Sequence, residues 1–167
     1  MSVRLFDIDP SDERVRFLIR LALFAGLDPA ELERVATSVE ERPAPAGEAV
    51  LVESGLPGTH LYIVHEGTLA LMHKQALVAI LTSGEIFGHL TLLTGLAPEF
   101  TARARTDCSL YCIPKDVALE ILGRPDGVKW LAGSQRERLL QAARSMSALP
   151  DVRTRPVTEV VLSLIHI

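Results

Sequence analysis

Cysteine is scarce: only Cys108 and Cys112 occur in 167 residues. Four positions apart on an expected strand, their Cα atoms would stand roughly 13 Å apart, beyond the reach of a disulfide. Two free thiols of this kind suit core filling in a reducing, cytoplasmic setting. Long hydrophobic runs are also missing. The longest apolar stretch, Phe17 to Leu27, contains Arg20 and falls short of the ~18 residues that a membrane-spanning helix needs. Residues 1–20 mix Asp7, Asp9, Asp12 and Glu13 with Arg14, Arg16 and Arg20, so they offer no secretory leader pattern. Catalytic signatures are absent as well: there is no Walker loop, H-E-x-x-H, serine–histidine–aspartate order or paired-carboxylate arrangement. No enzymatic activity is therefore expected.

What is present is ordinary globular composition, 48% hydrophobic and 23% charged, enough apolar surface to offset ordering entropy. The net charge of −4 hides an asymmetry. Residues 28–123 carry 6 basic and 13 acidic side chains, 6 − 13 = −7, whereas residues 124–155 carry 7 and 3, 7 − 3 = +4. An acidic middle repels polyanions, so nucleic acid is not expected as a partner. The basic stretch reads as a solvated helix face.

Along the chain, Ser11-Asp-Glu-Arg opens a helical pattern with Val15, Leu18, Ile19, Ala22 and Leu23 on one face, broken at Gly26. Asp28-Pro29 has the form of a cap and first helical residue. Leu32, Val35, Ala36 and Val39 form the apolar stripe of this second helix, and Pro43 and Pro45 are expected to end it. Short apolar runs then alternate with glycine turns: Ala49-Val-Leu-Val, Leu61-Tyr-Ile-Val, Leu69-Ala-Leu-Met, Leu77-Val-Ala-Ile-Leu and Ser109-Leu-Tyr-Cys-Ile. That texture predicts an all-β sandwich or barrel, not βαβ units. A short helix is expected over Asp116–Leu122. A longer one follows over 127–149, with Leu139, Ala142, Ala143, Met146 and Leu149 on one face, able to pair with a second copy in a homodimer. Trp130 on it reads as a packing residue.

Specific motifs go further. Leu23-Phe-Ala-Gly-Leu-Asp-Pro-Ala-Glu-Leu, Pro45-Ala-Gly-Glu-Ala-Val-Leu, Leu61-Tyr-Ile-Val-His-Glu-Gly-Thr-Leu and Gly84-Glu-Ile-Phe-Gly-His-Leu-Thr-Leu-Leu together resemble the cyclic nucleotide-binding domain family across residues 20–148. The resemblance implies a mainly β fold with flanking helices, a jelly-roll or double-stranded β-helix, plus a long C-terminal helix. It divides the chain into an N-terminal helix (1–27), the β-roll (28–123), the C-terminal helix (124–149) and a linker (150–161).

In that family a phosphate-binding cassette holds the ligand, and here it would comprise Phe87, Gly88, His89, Leu90, Thr91, Pro98, Glu99, Phe100 and Thr101. The family places a glutamate after the cassette glycine for the ribose hydroxyl, and an arginine further on for the phosphate. This chain has His89 at the first position and Pro98 or Glu99 at the second. Losing the arginine removes a charge-assisted contact of about 1.5–3 kcal/mol. Arg103 and Arg105 share a strand face with Thr101 and are expected to point away. Weak or no binding of cyclic AMP or cyclic GMP is the expectation, with His89 either donating to a ligand or standing exposed.

The five histidines, His60, His65, His73, His89 and His166, show no metal-ligand spacing; only His65 and His73 are expected to share a sheet face. Leu149-Pro-Asp-Val-Arg-Thr-Arg-Pro-Val-Thr-Glu-Val-Val resembles the entry to a CBS domain, as in bacterial signalling proteins that continue into a nucleotidyltransferase. Leu162-Ser-Leu-Ile-His-Ile resembles a translated sequencing adapter, so residues 162–167 are set aside from fold reasoning. Three functional expectations result. They are a regulatory module acting through its C-terminal helix, the sensor fragment of a longer enzyme, and a transcription regulator fragment lacking its helix-turn-helix.

Overall fold

Asp28 shows how local chemistry sets an element boundary. In the computed structural model, which describes residues 10–134, its carboxylate accepts the Glu31 N–H at 2.8 Å and Pro29 takes the first helical position. Such a cap contributes about 1 kcal/mol. The helix it opens, α2 (Pro29–Ser38), buries Leu32, Val35 and Ala36, as the stripe predicts. Before it, α1 (Pro10–Ile19) stops well short of Gly26. Beyond it the chain winds with i→i−3 bonds, Leu21 N–H to Leu18 O, Phe24 to Leu21 and Leu27 to Phe24. One i→i−4 bond, Ala25 N–H to Leu21 O, is mixed in, so irregular turns replace the helical period here. Leu18, Leu23 and Phe24 go inside, while Ile19 is 53% exposed and Ala22 is exposed. Those two do not join the buried face that a continuous helix would give them.

Pro43 does not end a helix. Helix α2 is over at Ser38, and β1 (Glu40–Ala44) contains Pro43. Strand β1 lies at a sheet edge, where a residue without an N–H is tolerated. The remaining elements are β2 (Ala49–Leu51), β3 (His60–Glu66), β4 (Leu69–His73), β5 (Ala76–Leu81), β6 (Ile86–Phe87), α3 (His89–Thr94), β7 (Thr101–Ala104), β8 (Cys108–Pro114) and α4 (Lys115–Leu122). Residues 125–134 are again helical. The expected homodimer face, Leu139 to Leu149, lies outside the described residues, as do His166, the linker and residues 162–167.

Two antiparallel sheets result, ordered β1-β8-β3-β6 and β2-β7-β4-β5. The fold is the β-roll with flanking helices that the resemblance implies. The first sheet is the middle layer of three. Its inner residues Tyr62, Val64, Leu110 and Cys112 meet Leu69, Leu71, Ala102 and Ala104 of the second sheet. Its other face, Leu61, Ile63, Tyr111 and Ile113, packs on Leu18, Phe24, Leu32, Val35, Ile121 and Leu122 from the helices. Both faces of β3 are covered, so Leu61–Val64 reads as an unbroken apolar run. Outer strand β7 alternates instead, with Ala102 and Ala104 in and Arg103 out.

Gly67, at φ +90°, joins β3 to β4; a Cβ there would stand 2.5 Å from Asp107 O and 2.8 Å from Cys108 Sγ. Only glycine fits that close approach. Cys108 and Cys112 are both free and buried. Burial pushes the Cys112 thiol up to about 11, which makes it a core filler and not a nucleophile.

Candidate functional site

The cassette is built in two halves around α3. The first half begins where β6 delivers Phe87, whose ring stacks on Tyr62 at 5.0 Å and 15°. Gly88 then turns the chain at φ 86°, and a Cβ on it would meet Tyr62 Cδ2 at 3.0 Å and His60 O at 3.3 Å. Thr91 locks the turn. Its hydroxyl accepts the Gly58 N–H at 2.9 Å and donates to Leu96 O at 2.6 Å. One buried side chain thus ties the β2–β3 loop, α3 and the segment after α3 together. Gly95 closes α3 at φ 69°, returning its N–H to Thr91 O.

The second half carries the altered chemistry. Pro98 is buried, and its carbonyl accepts the Ser54 N–H at 2.9 Å. Glu99 and Phe100 are partly buried beside it. The Glu99 backbone carbonyl lies 3.0 Å from His73 Nδ1, and that nitrogen is also 3.0 Å from Glu53 Oε1. Glu53 in turn accepts the Lys74 N–H and donates its own N–H to Thr101 Oγ1. Burial raises the Glu99 carboxyl above the usual carboxylate range; His73 and Lys74 pull it down and Glu53 pushes it up.

Seven of the nine cassette residues predicted from sequence line one cavity: Phe87, Gly88, Leu90, Thr91, Pro98, Glu99 and Phe100. Thr101 does not; it lines a separate outer recess with Lys74 and Arg103. Arg103 points outward on β7 and donates to Gly47 O at 2.7 Å, so it does not reach the cassette cavity. His89 does not line the cavity either. It is 1% exposed, with its ring edge-on to Trp130 at 5.1 Å, so it is neither an exposed relic nor a cavity residue. Five cavity residues are missing from the sequence reading: Thr94 and Ala97 belong to α3 and the segment after it, and Leu51, Leu71 and Ala102 come from strands of the second sheet. Alternation along β4 and β7 points Leu71 and Ala102 inward, though only tertiary pairing tells which inward residues reach α3.

The cavity holds about 40 Å³, close to the ~30 Å³ share of one liquid water and far below the ~300–1,000 Å³ of small-molecule sites. Its lining is Leu, Phe, Ala, Pro, Gly and Thr, with Glu99 the one ionisable group and no basic residue. A larger recess of about 770 Å³ between residues 22–26, β5, β6 and residues 126–134 is lined by Gly84, Glu85 and Ile86 at the start of the same motif and by Trp130, but by none of the nine cassette residues. His65 and His73 sit in different sheets, and His65 stacks on Tyr111 at 4.3 Å. Among the described residues no three His, Cys, Asp or Glu converge as metal ligands. No helix among them is long and apolar enough to cross a membrane.

Comparison with known proteins matches residues 41–124 to the family described as Cyclic nucleotide-binding domain. The human potassium/sodium hyperpolarization-activated cyclic nucleotide-gated channel 3 is 29% identical over 81% of this chain and 18% of its own length. An uncharacterized NTE family protein of Mycobacterium tuberculosis is 31% identical over 63% of this chain and 18% of its own. The crystal structure of the Thermus thermophilus catabolite activator protein superposes with a TM-score of 0.61 at 28% identity, covering 76% of this chain and 62% of that one. The chain spans under a fifth of the length of both curated relatives.

Proposed function

The chain belongs to the cyclic nucleotide-binding domain family, and from that premise we propose a non-catalytic regulatory module of the cytoplasm whose cassette accepts cyclic AMP or cyclic GMP weakly or not at all. One observation carries the reading: Pro98 and Glu99 occupy the cavity wall, and no basic residue lines it. A cyclic phosphate there forgoes an ion pair of about 1.5–3 kcal/mol. Glu99 in the same wall adds a negative charge where the ligand carries one, and like charges repel. The two effects add in the same direction, and the 40 Å³ cavity offers no compensating burial.

The route from cassette to output runs through His89. It is the first residue of α3, and its ring abuts Trp130 of the helical residues 125–134. Trp130 also packs on the helix-side core. A shift of α3 therefore moves Trp130 directly, and the C-terminal helix with it.

A second reading has its own support. Because curated relatives extend far beyond the matched stretch, the module serves equally as the sensor of a longer multidomain chain. Thermal-shift measurement with cyclic AMP, cyclic GMP and adenosine nucleotides tests the binding claim. A ligand at 100 times its Kd adds about 2.7 kcal/mol of stability. The expected result is no shift with millimolar nucleotide, and a clear rise in Tm with either cyclic nucleotide refutes the reading.

A further inference from the structure

Two sheets leave four edge strands, and three of them carry features that discourage pairing with another chain. Strand β1 holds Glu40, Glu41, Arg42 and Pro43, while β2 is three residues long and β6 two. Strand β5 differs: Ala76–Leu81 reads Ala-Leu-Val-Ala-Ile-Leu, without a charge or a proline. Its register on β4 slips at Val78, the residue left over between the Leu71–Ala79 and Met72–Leu77 pairs. Beyond that bulge Ala79, Ile80 and Leu81 pair regularly with Leu71, Ala70 and Leu69. Among the described residues, these three make no backbone hydrogen bond outside the β4 ladder. The same three line the 770 Å³ recess. Successive strand residues point to opposite faces, so a space that all three touch lies along the edge of the strand.

The rest of the wall leaves room beside that edge. Ala22, Ala25, Gly26 and Gly133 are small, and Trp130 is the one aromatic ring. The volume falls within the ~300–1,000 Å³ of small ligand sites, and a paired strand needs a spacing of about 4.8 Å. Two carboxylates, Glu85 and Asp126, stand against one ammonium, Lys129. One Glu85 oxygen also accepts the Thr82 N–H at 2.5 Å. The β-roll around them, at −7 over residues 28–123, attracts cations and repels anions.

We propose that this recess is a docking groove for an extended basic peptide segment of a partner protein, which adds to β5 as a further strand along Ala79–Leu81. Main-chain pairing supplies the affinity, and alternate side chains supply the specificity. Apolar side chains of the segment enter among Ala22, Ala25 and Trp130, and its lysines or arginines meet Glu85 and Asp126. A single strand suits the space better than a second copy does. The β5 of a copy arrives with its whole sheet, whereas residues 22–26 and 126–134 wall this groove. Trp130 is also the ring that His89 of α3 abuts, so an occupant presses on the same side chain as the cassette helix. The inference stands apart from what the cassette binds.

Trp130 is the sole tryptophan of the chain, so its emission reports what enters the groove. The full chain is titrated with acetyl-Val-Lys-Val-Lys-Val-amide and with the same peptide carrying glutamate in place of lysine. Two further lysine peptides are N-methylated, one on its valine nitrogens and one on its lysine nitrogens, which blocks one strand edge or the other. The expected result is saturable binding of the lysine peptide, weaker by about tenfold for the glutamate peptide. One methylated peptide should lose about tenfold or more in affinity while the other keeps it, as pairing through a single edge requires. Ala22→Phe and Ala25→Phe fill the groove at exposed positions. Both should abolish binding with circular dichroism unchanged. No saturable response to the lysine peptide, equal affinity for the glutamate peptide, equal behaviour of the two methylated peptides, or binding undiminished in both phenylalanine variants overturns the inference. A dimer in sedimentation equilibrium that Ala22→Phe dissociates puts a second copy in the groove and overturns it as well.

Discussion

The two halves of the cassette differ in what they keep. From Phe87 to Thr91 the frame is intact: Gly88 turns at positive φ, Phe87 stacks on Tyr62, and Thr91 bridges two loops with one hydroxyl. From Pro98 to Thr101 the backbone is held as firmly, by Ser54 and His73, yet the side chains present proline and glutamate where the family resemblance calls for a cation. The frame depends on steric fit and buried hydrogen bonds, which the rest of the fold requires. The wall chemistry depends only on the ligand. On the reading proposed here, a β-roll preserves the turns of its cassette while its wall carries the opposite charge.

That contrast is broken most sharply from the frame side. Gly67→Ala places a Cβ 2.5 Å from Asp107 O at φ +90°, and a loss of about 3 kcal/mol or more is expected; a denaturation midpoint unchanged by this substitution would contradict the frame argument. Thr91→Val leaves the Gly58 N–H without its acceptor and the Leu96 carbonyl without its donor. About 2 kcal/mol of destabilisation should follow, read as a drop in urea midpoint at constant m-value.

The wall side should barely move stability. Glu99→Gln is expected to change it by under about 0.5 kcal/mol at neutral pH, and it also sharpens the electrostatics. Because burial raises the Glu99 carboxyl, the folded protein holds that proton more tightly than the unfolded chain. The stability this contributes is present at low pH and is lost as pH rises from the ordinary carboxylate range through the raised folded value. Glu99→Gln removes that portion of the slope, so paired pH–stability curves should converge on a constant offset at the acid end.

Much of the frame was legible in the sequence because short-range physics writes it there. Asp28-Pro29 caps α2 as expected, and the apolar runs beginning at Leu61, Leu69, Leu77 and Ser109 lie on strands, as does the run from Ala49 up to Leu51. The misreadings came where tertiary context outweighed local pattern. Pro43 belongs to a strand because β1 sits at an edge, and edge position is invisible in one dimension. Ile19 and Ala22 fit a helical face, but α1 ends at Ile19 and the chain continues as turns. At the site, seven of the nine cassette residues converge on one cavity. His89 turns the other way because Trp130, 41 positions later, offers it a ring. No local pattern records a contact between α3 and a helix that distant in sequence.

Calorimetric titration of the full chain with cyclic AMP tests the central claim, that this β-roll keeps the cassette's frame without its anion chemistry, most directly. The account predicts no saturable heat up to millimolar nucleotide. A saturating isotherm with micromolar Kd would contradict it.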